Sequence, residues 1–277
     1  MADATPATQA KMDQVVTAAD KYGDVSMIAL AGVPGTGKSH VALLAAQAIA
    51  DDPLMVRETQ FHPAVTYDTF VEGMRIDETG ASVFRDGVFL EWNDRALADS
   101  NHRYVLLIEE LTRANVAAVL GDLMTYLEYR DRYFMALYSG RPVRVASNLV
   151  LIATFNPTDR TALDLDAALL RRLRVIPFPP DTGQLGEMLS GSNLSEAALR
   201  NLRGLFEACQ SEFPEDFESM MPFGHGIFSQ VTEEQPDLHE LWNERIVRLL
   251  KRPLLEPHPF TEVITSNYPW TDPDYSA

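Results

Sequence analysis

From residue 26 to residue 178 short, continuous apolar runs alternate with stretches of helical periodicity. A leading helix is predicted over 8–22, with Met12, Val15, Val16 and Ala19 on one face. Ser26 to Val33 is an apolar run that ends in Gly and Pro, which suits a buried strand. Lys38 to Ala50 reads as a helix that Asp51, Asp52 and Pro53 stop, and Leu54 to Phe61 as a second strand. Tyr67 to Gly73 makes a short helix. Residues 81–92 read as a hairpin, with Val83-Phe84 and Val88-Phe89-Leu90 flanking the Arg85-Asp86-Gly87 turn. A helix follows to about Ser100, then a strand over Tyr104 to Ile108. One more helix carries Leu120, Leu123, Met124 and Leu127 on a single face. A second hairpin is predicted over 133–147 around Ser139-Gly140, and a buried strand over Leu149 to Thr154. Thr161 to Arg172 reads as helix and Arg174 to Phe178 as a last strand.

Such alternation predicts an α/β fold, a parallel sheet covered by helices on both faces. Pro177, Pro179 and Pro180 then break the pattern. Beyond them the chain is helical, with one stripe of Leu199, Leu202 and Phe206 and another of Leu238, Leu241, Trp242, Ile246 and Leu249. The predicted organisation is a lead over 1–24, an α/β core over 25–180, and a helical lid with a tail over 181–277. No internal repeats are visible. The tail from Pro257 is rich in Pro, aromatic and acidic residues.

Composition narrows this picture in three ways. The 277 residues suffice for one large domain, or a core and a small one. The net charge of −17 repels a phosphate backbone, so autonomous binding to bulk nucleic acid is not expected. The single Cys209 permits no internal disulfide and no thiolate zinc site, and its helical spacing with Leu202 and Phe206 places it in a core. Met1 to Lys21 has no apolar segment of the kind a secretory signal needs. The longest apolar run, Val41 to Ala50, is too short to span a bilayer. The expectation is a soluble, cytoplasmic protein without a membrane segment.

The chemistry begins at Gly32-Val33-Pro34-Gly35-Thr36-Gly37-Lys38-Ser39. The spacing G-x-x-x-x-G-K-S lies between a predicted strand and a predicted helix, the setting a phosphate loop requires. Glycines let backbone N–H groups turn to the phosphates, and the helix N-terminus adds partial positive charge. Lys38 reaches the β and γ phosphates, and Ser39 supplies a Mg²⁺ ligand. His40 follows at once and joins the nucleotide-binding set.

Leu106-Leu107-Ile108-Glu109-Glu110 is an apolar strand that ends in two carboxylates, a Walker B pattern. Glu109, where Asp is usual, is the candidate for the Mg²⁺ shell; Glu110 is the candidate base that polarises the attacking water. A third strand ends at Asn156, within Ala153-Thr154-Phe155-Asn156-Pro157-Thr158-Asp159-Arg160. Its amide would orient water near the γ phosphate, although an Asn-Pro pair is also an ordinary turn. Arg171 and Arg172 end a predicted helix. They either complement its C-terminal dipole or serve as an arginine finger on a neighbouring subunit's phosphate.

These elements in this order resemble an AAA+ ATPase, with a finer similarity to the McrB-type branch and a more distant one to MoxR-type ATPases. The resemblance is carried by the phosphate loop, by Gln60-Phe61-His62-Pro63 with Tyr67 to Gly73, and by the Val83 to Leu90 segment, similar to that branch's insert. Glu109-Glu110-Leu111-Thr112-Arg113-Ala114-Asn115 is similar to its "DEINRAN" segment, and Asn156 to Thr161 to its "NTADRS" loop. Phe223-Gly224-His225-Gly226 resembles a "GHS" stretch in its lid. The resemblance covers roughly residues 27–252.

It implies a P-loop NTPase core with a smaller helical lid, binding ATP or GTP with Mg²⁺ between the subunits of a homo-oligomeric ring, a hexamer. Asn156 would be sensor 1, and Asp159 and Arg160 would act around the hydrolytic water or the neighbouring interface. Arg171 or Arg172 would be the finger. His225 would lie in the lid near the base or ribose, unless it is a buried, hydrogen-bonded histidine; His62 reads as structural. The resemblance also implies a motor that remodels or drives a separate effector or adaptor protein in restriction or anti-phage defence. A nucleotide-gated scaffold or MoxR-like chaperone with slow or absent hydrolysis is the alternative. The 24 residues before the first strand are too few for a DNA-reading domain. No lid arginine stands out as a sensor 2.

Overall fold

The computed structural model describes residues 5–24, 26–157, 167–190, 194–211, 221–230, 238–250 and 260–268. Its elements run in order α1 (Pro6–Tyr22), β1 (Met27–Ala31), α2 (Lys38–Ile49), β2 (Val56–Gln60), α3 (Tyr67–Phe70), β3 (Glu72–Ile76), β4 (Ser82–Asp86) and α4 (Val88–Ala98). Then come β5 (Tyr104–Glu109), α5 (Val116–Leu120), α6 (Leu123–Tyr126), β6 (Phe134–Met135), β7 (Pro142–Val143), β8 (Leu149–Phe155), α7 (Ala167–Leu170) and β9 (Leu173–Pro177). The helical part holds α8 (Thr182–Leu189), α9 (Glu196–Ser211), α10 (Leu238–Leu241), α11 (Val247–Leu250) and α12 (Thr261–Asn267).

The main sheet is parallel throughout, in the order β2-β5-β8-β1-β9. All of β1 and all of β8 are buried, as unbroken apolar strands inside a helix-covered sheet must be. β2 lies at the edge and is mostly exposed, which explains its polar sequence Val-Arg-Glu-Thr-Gln. Alanines at 42, 45 and 46 line the buried face of α2, so that helix packs close against the sheet. Because the strands are parallel, β1, β5 and β8 end on one edge, and the phosphate loop, the carboxylate pair and Asn156 leave from those ends. Ligands of open α/β sheets bind at that edge.

The chain divides into two compact units. One holds Gln9–Ala31 and Lys38–Pro177, with the sheet and its helices. Its core runs from Met27 and Ala29 through Leu106, Ile108 and Leu151 to Phe155. The other holds the chain from Phe178 onward, with residues 5–8 and Gly32–Gly37. Its core is built on Leu185, Leu202, Phe206, Phe223, Phe228, Trp242 and Ile264. No helix among the described residues is long and apolar enough to cross a membrane.

Four local expectations are corrected. The first hairpin exists, but it pairs β3 with β4, Met74 opposite Phe84, and turns through Asp77 to Gly80. Asp77 caps that turn by accepting from the N–H groups of Thr79 and Ala81, and Gly80 takes φ +86°. The Asp86-Gly87 pair instead opens α4. Gly87 donates to Val71 O at 2.7 Å, and an added Cβ would lie 2.5 Å from the carbonyl carbon of Phe70. The run Val88-Phe89-Leu90 is helical because Phe89, Asn93 and Ala96 are buried at i, i+4, i+7. Glu72 and Gly73 accordingly sit in β3, not in the helix before it.

The helix predicted over Leu120 to Leu127 is broken by Gly121, at φ +51°, into α5 and α6. The predicted stripe ending at Leu249 ends on Leu250, which is buried while Leu249 is exposed. Trp242–Ile246 is a π-helical turn whose extra residue shifts the phase of the helix face. The second hairpin is short, with Phe134–Met135 paired to Pro142–Val143. The helix predicted from Thr161 is described only from Ala167. The Cys209 side chain and the tail from Pro257 to Pro259 lie outside the described residues, as does the stretch beyond Tyr268.

Candidate functional site

The phosphate loop is shaped by its glycines and by one hydroxyl. Gly35 and Gly37 adopt φ +82° and +79°, a region that excludes most side chains. Thr36 is buried and donates its hydroxyl to Val33 O at 3.0 Å, which closes the turn from inside. At Gly32 any Cβ would collide with the Phe178 carbonyl.

The segment Gly224-His225-Gly226 is hydrogen-bonded along the same loop. Gly224 N–H donates to Pro34 O at 2.8 Å, and Gly226 N–H to Gly35 O at 2.7 Å. A Cβ at Gly224 would overlap Gly35. His225, between them, is 4% exposed. Its Nε2 lies 3.9 Å from where a Cβ would stand on Gly37, and Gln184 Oε1 approaches that point equally closely. Burial lowers the His225 pKa below its ordinary 6.5, and the Asp181 carboxylate, which caps α8, opposes that shift. The structure therefore sets His225 beside the last glycine of the phosphate loop.

Lys38 and Ser39 open α2. Here the contacts are made by side chains. Ser39 Oγ donates to Glu109 Oε2 at 2.8 Å. The Thr154 hydroxyl donates to the same Oε2. Glu110 N–H in turn donates to Thr154 Oγ1 at 3.2 Å. Thr154 thus links the two carboxylate residues, one through its proton and one through its lone pair. Parallel pairing of Ile108 with Ala153 sets it beside Glu109. Thr154 has no role in the sequence-based expectation; the usable signal is a hydroxyl in an otherwise apolar buried strand, two residues before Asn156.

Glu110 adopts φ 56°, unlike every other non-glycine among the described residues. This left-handed backbone costs about 1–2 kcal/mol for a residue with a Cβ. It turns the chain off β5 into the short helix Leu111–Arg113. The Glu110 carboxylate accepts from Arg113 Nε at 3.1 Å. Thr112 is wholly buried next to it, and its hydroxyl has no hydrogen-bond partner. Asn156 follows β8 directly and is buried. Of the residues expected at the site, Glu109, Glu110 and Ser39 join in one network, and Asn156 stands at the end of the neighbouring strand.

Arg171 and Arg172 differ sharply. Both approach Glu128 Oε2, at 3.5 and 3.2 Å, but the Arg171 side chain is 62% exposed and that of Arg172 only 7%. His40 is exposed on α2. Asp159 and Arg160 lie outside the described residues.

No cluster of three or more His, Cys, Asp or Glu able to hold a metal occurs among the described residues. Mg²⁺ does not need one beside a phosphate loop, since it takes one or two protein oxygens together with phosphate and water. The hard oxygens of Ser39 and Glu109, already within hydrogen-bond distance, fit that requirement.

Comparison with known proteins bears on this arrangement. Residues 27–173 match the AAA domain (dynein-related subfamily). Over 251 residues the chain is 28% identical to the Type IV methyl-directed restriction enzyme EcoKMcrB subunit of Escherichia coli (strain K12), covering 85% of this chain and 54% of that protein. Over 184 residues it is 27% identical to the Type II restriction enzyme BsuMI component YdiS of Bacillus subtilis (strain 168), covering 51% of this chain and 53% of that protein. The chain spans about half the length of the curated relatives it matches. The domain match takes in more than half of the residues and every strand from β1 to β8, and on that ground the chain belongs to the AAA domain family (dynein-related subfamily).

Proposed function

We propose that this chain is the motor subunit of a nucleoside-triphosphate phosphohydrolase, working at sites shared between copies in a homo-oligomeric ring, a hexamer. The observation that carries the reading is the hydrogen-bonded set Ser39, Glu109, Thr154 and Glu110 at the ends of adjacent parallel strands. Gly32, Pro34, Gly35, Thr36, Gly37 and Lys38 hold the phosphates of ATP or GTP, with His40 and His225 in the binding set. Ser39 and Glu109 hold Mg²⁺, which neutralises charge on the β and γ phosphates. Glu110 holds the attacking water and takes its proton. Asn156 positions that water, and Asp159 acts nearby.

Exposure supports Arg171 as the finger that crosses to a neighbouring copy, and Arg172 as the buried cation that holds Glu128. Exposed apolar side chains gather on the two hairpins, at Met74, Ile76 and Phe84 and at Tyr133, Met135 and Leu137. Monomers seldom leave such groups bare together, which supports association with other chains. The relatives are named as a subunit and a component of restriction enzymes. Their names support a separate effector or adaptor protein driven by this chain in restriction or anti-phage defence.

The test is to measure phosphate release and particle mass together, with ATP or GTP and Mg²⁺. Turnover that appears with assembly is the expected result, and robust turnover by a strict monomer sinks the shared-site reading. A second reading is a nucleotide-gated scaffold or MoxR-like chaperone with slow hydrolysis. It draws on Glu109, whose Oε2 already serves two hydroxyls. Equal rates for wild type and Glu110→Gln would favour it.

A further inference from the structure

The carbonyls of Pro34 and Gly35 both accept hydrogen bonds from Gly224-His225-Gly226. The peptides here are trans, with no cis bond among the described residues. In a trans peptide the C=O and N–H point in opposite directions across the plane. Holding Pro34 O therefore turns the Gly35 N–H away from residues 224–226, and holding Gly35 O does the same to the Thr36 N–H. Those N–H groups are the ones a phosphate loop offers to phosphate. Without such restraint Gly35, at φ +82°, would let both planes rotate. The restraint moves an ordering cost from nucleotide binding to folding.

His225 is fixed between these two bonds. Its Nδ1 is buried and has no hydrogen-bond partner. A buried N–H without an acceptor is more costly than an unused lone pair, so the ring proton belongs on Nε2. That nitrogen is the one nearest Gly37. The Gly residues on either side are obligatory for the approach, since a Cβ at Gly226 would stand 2.8 Å from Gly35 O and one at Gly224 would overlap Gly35.

We propose that Gly224-His225-Gly226 is a positioning strap that pre-orients the phosphate loop, and that His225 Nε2 donates a hydrogen bond to the anionic oxygens of a triphosphate bound there. This rests on the reading that the loop takes a nucleoside triphosphate. His225 is then a phosphate contact, not a reader of base or ribose. It adds binding, common to ground and transition state, and so acts on KM more than on kcat.

The experiment uses the full chain and two probes: a fluorescent nucleoside triphosphate, titrated directly, and inorganic tripolyphosphate as its competitor. If wild type binds neither, the triphosphate reading itself falls, separately from the strap. Given wild-type binding, His225→Ala is expected to weaken both probes about tenfold, raise KM about tenfold and leave kcat within about twofold. His225→Gln, which restores a donor at similar reach, is expected within about threefold of wild type. Gly224→Ala, which forces the strap off the loop, is expected to lose tenfold or more for both probes. Thermal unfolding of each variant reports whether it is folded, and the Gln variant carries the test if the Ala variant is not. Three results overturn the proposal: unchanged binding in folded His225→Ala, weakened nucleotide binding with tripolyphosphate competition unchanged, or His225→Gln as weak as His225→Ala.

Discussion

The two ends of the phosphate loop are held by different chemistry. Residues 32–37 are held by backbone: two carbonyls accept from residues 224 and 226, and a threonine hydroxyl closes the turn. Residues 38–39 begin a helix whose serine joins a side-chain network with Glu109 and Thr154. The backbone-held end rejects any Cβ at Gly32, and the segment that holds it rejects one at Gly224. The side-chain-held end depends on one carboxylate oxygen that receives two hydroxyl protons. Under the proposed function, one end sets the affinity for the triphosphate and the other the rate of its hydrolysis.

Four substitutions or conditions would break or sharpen that contrast. The largest effect belongs to the side-chain end. Glu110→Gln is expected to lower turnover about a thousandfold, with nucleotide affinity within about threefold, because it removes a base and keeps the shape. Steady-state phosphate release together with a binding titration would show it, and a parallel loss of affinity would erase the contrast. Next comes the backbone end. Gly35→Ala is expected to weaken triphosphate binding about tenfold, since Ala at φ +82° is strained and its Cβ meets Ile227 N at 3.3 Å. Calorimetry reads this; retained affinity would mean the loop does not need that conformation.

A smaller effect is expected from Thr154→Val, which removes the hydroxyl between Glu109 and Glu110 while keeping the strand packed. Turnover should fall about fivefold, and the melting temperature should drop as well, because the hydroxyl's bond to Glu109 and its bond from the Glu110 N–H are both lost. An inactive variant would promote Thr154 from support to participant.

The smallest is a pH effect at His225. Its folded pKa lies below the unfolded value of 6.5 because burial disfavours the charged ring, with Asp181 opposing. The unfolded chain therefore takes up this proton first. Stability contributed by the neutral ring is complete above about pH 6.5 and declines as pH falls below it, by at most about 1.4 kcal/mol per pH unit. Melting curves at pH 7.5 and 5.5 should differ less for His225→Gln than for wild type.

Much of the site was legible from sequence because it is built from short, contiguous motifs. The phosphate loop, Glu109-Glu110 and Asn156 were each readable where they stand, since each follows a continuous apolar strand. Thr154 was not, because its role depends on the register between β5 and β8. The Arg171–Arg172 pair was visible, but adjacent identical residues carry no sign of which is buried; Glu128, more than forty positions away, decides it.

The fold shows the same division. Asp86-Gly87 has the chemistry of a tight turn, yet it opens α4, because Gly87 lies against the Phe70 backbone and Phe89, Asn93 and Ala96 face inward. A window of three apolar residues could not tell strand from helix there. At Trp242–Ile246 one wide turn moved burial from Leu249 to Leu250, a shift that no periodicity argument registers.

Sequence by itself determined the strand–helix alternation behind the parallel sheet, and the phosphate-loop and carboxylate motifs. Those follow from apolar periodicity and from chemistry within about eight adjacent residues. Only the tertiary structure decided that Gly224-His225-Gly226 grips the phosphate loop, that Thr154 joins Glu109 to Glu110, and that Arg172 is buried while Arg171 is free to face solvent. Each of those depends on a hydrogen bond or ion pair between residues distant along the chain, and the distance between such residues is set by packing, which no local pattern encodes.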